Sequence, residues 1–167
     1  MANVDTKITV DVPLETAYNQ WTQFEEFPRF MEGVKEVQQL SDERLFWSAE
    51  IGGEQKEWYA HITRQVPNEV LAWESEGGVV NSGTVIFKPD EKDQGKTEIE
   101  LHMEYQPEDF KEKAGDVLGV VSRKVTADMK RFKEFIEARG QETGAWKGEI
   151  IHGANNDEQS QLRRTGS

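Results

Sequence analysis

Hydrophobic and polar positions alternate through the middle of this chain and recur at three- and four-residue steps near its end. Ile8, Val10 and Val12 alternate with Thr9 and Asp11, the period of a half-buried strand. Pro13 stops that run and suits the first position of a helix, where its missing N–H would have no partner anyway. Leu14, Ala17, Tyr18 and Trp21 come next at helical spacing and predict a short amphipathic helix over 13–22. A second short helical piece runs from Phe24 to Met31, broken by Pro28 and ended by Gly33. From 34 to 105 the period is mostly two. A weak strand over Val34–Leu40 leads to Leu45, Trp47, Ala49 and Ile51, and Gly52-Gly53 marks a hairpin turn. Trp58, Ala60 and Ile62 make the next strand, Pro67-Asn68 a turn, and Val70–Ser75 another strand. Gly83, Val85 and Phe87 come next, then Thr97, Ile99, Leu101, Met103 and Tyr105 in the clearest alternation of all. Phe110, Ala114, Val117, Leu118, Val121, Val125, Met129, Phe132, Phe135 and Ile136 form the apolar stripe of one long helix over roughly 108–139, closed by Gly140.

Strands that cluster, with helices placed before and after them, define an α+β fold rather than a parallel α/β one. One sheet face is apolar. The other carries Glu50, Glu57, Glu98, Glu100 and Glu104, so the long helix is the natural cover for the apolar face. The chain of 167 residues divides into one domain, 1–140, and a polar tail, 141–167, expected to be mostly disordered and anchored only by Trp146 and Ile150-Ile151. Composition narrows the function. Lys plus Arg number 20 against 32 Asp plus Glu, and a net charge of −12 repels phosphate backbones and anionic headgroups. Nucleic acid is therefore not an expected partner. No apolar run approaches the roughly 18 residues of a membrane helix, so no stable membrane insertion is expected either. The opening MANVDTKITV lacks the basic start and apolar stretch of a signal peptide, and the chain has no Cys, which together point to a cytoplasmic protein.

The segment Pro13-Leu14-Glu15-Thr16-Ala17-Tyr18, Trp21, and Phe27-Pro28-Arg29-Phe30-Met31 resemble the opening of the START-like superfamily. Glu57-Trp58-Tyr59-Ala60-His61-Ile62-Thr63, Leu71-Ala72-Trp73-Glu74-Ser75, Gly83-Thr84-Val85-Ile86-Phe87 and the stretch Met129 to Glu137 extend the likeness over about 1–140. The branch most similar is the polyketide cyclase/dehydrase-like group, also called Bet v 1-like or SRPBCC. The resemblance implies a helix-grip: a curved antiparallel sheet of six to seven strands wrapped around a long C-terminal helix, with a cavity between them.

Trp47, Trp58 and Trp73 occupy inward strand positions and either line a cavity for a flat apolar ligand or fill the core. Phe87, Met103, Tyr105, Leu118, Val121 and Val125 face the same interior. His61 and His102 have the opposite parity and should point to solvent, which argues against an acid–base enzyme. Arg64 shares parity with Ile62 and Ala60 and could reach the cavity mouth. The Glu ladder lacks the converging oxygens that a divalent cation needs. No phosphate-binding, dinucleotide, zinc or serine-nucleophile motif is present, so neither a catalytic set, a metal nor a cofactor is assigned. Three readings stand: a non-catalytic carrier or sensor of a small hydrophobic molecule; a polyketide cyclase or aromatase using Tyr105 and Arg64; and a protein-interaction module with a filled core, working through its acidic sheet face or the Trp146 tail.

Overall fold

Alternation in the chain becomes one long curved sheet, and the apolar helix lies in its trough. The computed structural model describes residues 2–51, 53–77, 80–106 and 110–151, with backbone only at 2, 51, 80, 106, 110–118 and 120. In chain order the elements are β1 (Ala2–Val10), α1 (Leu14–Trp21), a 3-10 helix (Phe24–Arg29), β2 (Val34–Gln39), β3 (Arg44–Ile51), β4 (Glu54–Val66), β5 (Val70–Glu76), β6 (Val80–Pro89), β7 (Thr97–Gln106), α2 (Phe110–Arg139) and β8 (Ile150–Ile151). All pairings are antiparallel and run in the order β1-β7-β6-β5-β4-β3-β2, with β8 added beside β4. This is the helix-grip α+β architecture.

Pro13 stands just before α1 rather than inside it, and its carbonyl accepts the Ala17 N–H at 3.1 Å. The long helix ends where expected. Gly140 takes φ +72°, which a side chain would resist, and its N–H bonds the Ile136 carbonyl at 2.8 Å. Met129, Phe132 and Ile136 of α2 are buried against Trp21, Phe24, Phe27 and Phe30 and against Val85, Phe87 and Ile99 of the sheet. Phe132 lies 5.2 Å from Trp21 and 5.1 Å from Phe30, ring centroid to ring centroid.

Charged residues of α2 tie it to both rims of the trough. On the β1 side, Lys133 donates to the Thr9 carbonyl at 3.0 Å and Glu137 accepts the Asp11 N–H at 2.7 Å. On the other side, Lys124 donates to the Glu50 carbonyl at 2.9 Å and Arg131 to the Phe30 carbonyl at 3.1 Å, while Asp128 accepts the Glu32 N–H at 3.3 Å. Burial works against the Glu137 carboxylate, but Lys133 and the Asp11 N–H outweigh it and hold the group below the usual range.

Two features depart from the alternation. The β4–β5 register shifts between Ile62 and Arg64, a bulge that reverses the parity of the residues after it. Arg64 is therefore exposed and paired with Ile151, and Gln65, 1% exposed, takes the inward position. The expectation that Arg64 reaches the cavity mouth is corrected accordingly. The second departure concerns the tail. Residues 141–151 pack back over α1, while 152–167 lie outside the described residues. Asn19 Nδ2 donates to Glu142 at 2.7 Å, and Gln20 exchanges two hydrogen bonds with Thr143 at 3.1 and 2.9 Å. Thr22 Oγ1 accepts the Trp146 N–H at 3.1 Å. Trp146 packs against the main core, and Ile150 is buried in it. A chain ending at Gln141 should lose about 3 kcal/mol of unfolding free energy or more, because burying one Ile alone is worth roughly 1.5–3 kcal/mol. Urea denaturation measures this, and a segment with no part in the fold would leave the midpoint unmoved.

Candidate functional site

Packing of α2 on the sheet is tight toward its C-terminal end and incomplete further up. There a void of about 150 Å³ opens between α2 and β3–β7. Its sheet wall includes Trp47 and Ala49 from β3, Trp58 and Ile62 from β4, Trp73 from β5, and Met103 and Tyr105 from β7. Val121, Val125 and Met129 of α2 close it from above, and Trp21, Phe27 and Met31 close one end. Register explains the convergence. Trp47 is paired with Trp58, Trp73 with Gly83, and Gly83 with Met103, so these residues share one face of the sheet. Trp47 and Trp58 lie parallel, within 5°, with centroids 5.9 Å apart.

Of the side chains expected to line the interior, Trp47, Trp58, Trp73, Met103, Tyr105, Val121 and Val125 border this void. Phe87 does not. Its parity is inward, but it lies further along β6, 5.4 Å from Tyr18 and 6.4 Å from Trp21, and it belongs to the packed core beneath α1. The side chain of Leu118 lies outside the described residues. Gly83 leaves room for Trp73: a Cβ there would lie 2.7 Å from the indole and 2.7 Å from the His102 carbonyl oxygen. Trp73 Nε1 in turn donates to Asn81 Oδ1 at 3.3 Å.

The wall also holds polar residues that alternation did not point out. Lys124 and Asp128 border the void from α2, beside Gly33 and Glu50. Burial pushes the Asp128 carboxyl up, against the opposing pull of Arg131. Spacing of four along the helix was the available signal, but in sequence these residues read as its solvated face. Burial also raises the Tyr105 phenol. Chemically the site is an apolar slot with a polar edge.

The family model described as "Polyketide cyclase / dehydrase and lipid transport" matches residues 10–134. The chain belongs to this polyketide cyclase/dehydrase family. Its fold is START-like, shared with a START superfamily protein of Mycobacterium smegmatis at a TM-score of 0.66. A 17.2 kDa protein of Streptomyces lincolnensis is 46% identical over 152 residues, covering 90% of this chain and 100% of its own. A crystal structure from Deinococcus radiodurans shares 26% identity at a TM-score of 0.68, over 83% of this chain and 99% of that one. The Zhui aromatase/cyclase of a Streptomyces species matches over 86% of this chain and 98% of its own, at a TM-score of 0.66 and 19% identity, which speaks to fold alone.

Outside the trough, the convex face of this polyketide cyclase/dehydrase-family chain carries two histidines and several ion pairs. His61 and His102 are both there, with side chains 40% and 50% exposed. Glu100 is paired with Lys88 at 3.0 Å, and Lys7 and Lys88 both lie near Glu98. Among the described residues no group of three or more acidic or histidine side chains converges as a metal site would require, and no helix is long and apolar enough to cross a membrane.

His102 hydrogen-bonds Asp5 at 2.8 Å, and this contact, opposed by partial burial and helped by Glu100, raises the imidazole above its ordinary value. A raised folded-state pKa means that the contact adds stability below the unfolded pKa and loses it as pH rises through the folded one. Asp5→Asn should lower the His102 midpoint in an NMR titration; an unchanged midpoint would show that Asp5 is not its partner. Gly83→Ala should cost about 1–3 kcal/mol by overpacking and change the Trp fluorescence as Trp73 is displaced. Neutral stability with an unchanged spectrum would mean that the indole does not lie over Gly83.

Proposed function

We propose that this protein binds one small apolar molecule in the void between α2 and the sheet, as a carrier or sensor. The observation that carries this reading is an aromatic-walled void of about 150 Å³ between α2 and the sheet. Protein interiors seldom leave spaces larger than a water molecule, because each unfilled contact forfeits dispersion energy. Size sets the class of occupant. Drug-sized pockets run to about 300 Å³ and above, whereas an apolar cavity of about 150 Å³ is known to hold benzene. The space suits a single-ring molecule.

The cyclase reading keeps Tyr105 in the wall but has lost Arg64 to the bulge, and both histidines stand on the far face. The interaction reading has lost a free Trp146, which is docked on its own domain. Binding without turnover is the reading these placements favour.

Native mass spectrometry of the protein from its natural host, compared with its denatured mass, tests the proposal. The expected result is a discrete adduct that denaturation releases. Ala49→Leu, which projects a larger side chain into the void from a buried β3 position, should cut occupancy by tenfold or more while leaving the melting temperature within a few degrees. A clean apo mass, with no thermal shift across a panel of one-ring compounds, would overturn the reading.

A further inference from the structure

The polar edge of the void holds a cation whose placement gives the proposed binding a chemical direction, one that rests on that binding reading. Of the described residues that border the void, Lys124 alone is basic, and Glu50 and Asp128 are the acids. Each acid is matched by a different cation. Glu50 faces Lys35 at 3.7 Å, and Asp128 is bonded to Arg131. The half-buried Lys124 instead donates to the neutral Glu50 carbonyl at 2.9 Å, and no carboxylate of the described residues lies within 4.0 Å of its Nζ. An ammonium carries three N–H donors, so that one carbonyl leaves two of them for another acceptor.

Geometry fixes the ammonium at the wall. A Cβ on Gly33 would lie 2.9 Å from Lys124 Nζ and 3.0 Å from the Glu50 carbonyl oxygen. Gly33, Glu50 and Lys124 all border the void, so Nζ sits where three residues of its wall meet. The Glu50 N–H donates to the Gly33 carbonyl at 2.7 Å and holds that part of the rim together. Lysines ordinarily carry their charge out into water on a flexible stem. This one is kept back by a hydrogen bond for which the missing side chain at Gly33 leaves room.

We infer that the molecule bound here is a one-ring carboxylate, its ring in the apolar void and its carboxylate against Lys124 at the edge. A hydrogen bond between two ionised groups is shorter and stronger than a neutral one, and the aromatic wall supplies dispersion contacts to the ring. Selectivity comes from the same arrangement. An amine of equal shape meets no unmatched acid at this edge, and a hydrocarbon gains nothing from the ammonium. The net charge of −12 repels anions and draws in cations. A preference for the acid would therefore report the local cation rather than the general field.

The test titrates phenylacetate, phenylacetamide, 2-phenylethylamine and toluene into the full-length protein at neutral pH, read by tryptophan fluorescence. The expected result is roughly tenfold tighter binding of phenylacetate than of its neutral amide, with the amine weaker still. The ratio of acid to amide affinity should fall toward one in Lys124→Met, which keeps the stem and removes the charge. It should also fall severalfold in Gly33→Ala, whose methyl group displaces Nζ. If Lys124→Met does not fold, the wild-type ratio and Gly33→Ala decide. A wild-type ratio of one or below, or tighter binding of the amine, would overturn the carboxylate inference. So would a ratio undiminished in whichever variant folds, because the anion would then be held elsewhere. Binding of toluene without phenylacetate would overturn it too and leave the apolar-binding reading standing. Binding of none of the four would overturn this inference together with the reading beneath it.

Discussion

The long helix cannot sink fully into its sheet, because its own charged side chains are bonded to backbone on both rims. Lys133 and Glu137 hold Thr9 and Asp11 on one side. Lys124, Asp128 and Arg131 hold Glu50, Glu32 and Phe30 on the other. Hydrogen bonds that involve a charged group are worth about 1.5–3 kcal/mol each, so moving the helix inward would break several at once. Where large rings fill the trough, at Phe132 and Trp21, the rim ties and the packing agree. Further up, the helix carries Val125 and Val121 in place of large rings; they pack with Val4, Met103 and Tyr105, and the void lies beside them. The cavity thus arises from two ordinary requirements, satisfied backbone and fixed helix height, acting where the described stripe passes from Phe132 and Met129 to Val125 and Val121.

Much of this was legible from alternation. The pairing of Trp47 with Trp58, and of Gly83 with both Trp73 and Met103, puts on one face the residues that a two-residue period also puts there. Parity says which face a residue takes but not how far along the trough it sits, which is why Phe87 belongs to the packed end rather than the void. Arg64 shows a second limit. A single bulge after Ile62 exchanges the roles of Arg64 and Gln65, and nothing in the local residue types marks the extra residue. The rim ties show a third. Lys124, Asp128 and Arg131 look like a solvated helix face because their partners are carbonyls and N–H groups, which every residue carries and no side-chain pattern reveals.

The C-terminal segment was hidden for a related reason. On α1, Asn19 and Gln20, and Thr22 just after it, look like a polar outer face, yet they are 2%, 0% and 2% exposed. A polar side chain can be buried cheaply only if its bonds are completed. Here Glu142, Thr143 and the Trp146 N–H complete them. Both halves of this match are polar, so neither shows as an apolar stripe. The amphipathic pattern of α1 correctly located the core, and its polar side proved to be a second buried surface covered by residues more than 120 positions away.

Segregation of chemistry between the two faces of the sheet bears on what the cavity can do. The ionisable side chains with room to exchange protons stand on the convex face, and the concave one offers indoles, a phenol and thioethers, with Lys124 and Asp128 already engaged at its edge. The void's size is sensitive to helix height in a way that residue identity is not. From Val121 to Met129 the helix covers about 12 Å at about 1.5 Å per residue, and it is about 10 Å wide. A rise of about 1 Å over that stretch adds on the order of 120 Å³, so about 1–2 Å brings the space into the range of ordinary ligand pockets. Lys124 and Arg131 are long enough to accommodate such a movement while keeping their carbonyls, whereas the shorter Asp128 is not. The Asp128–Glu32 contact is therefore the rim tie with least give, the point at which the height of the helix and the volume of the void are most constrained.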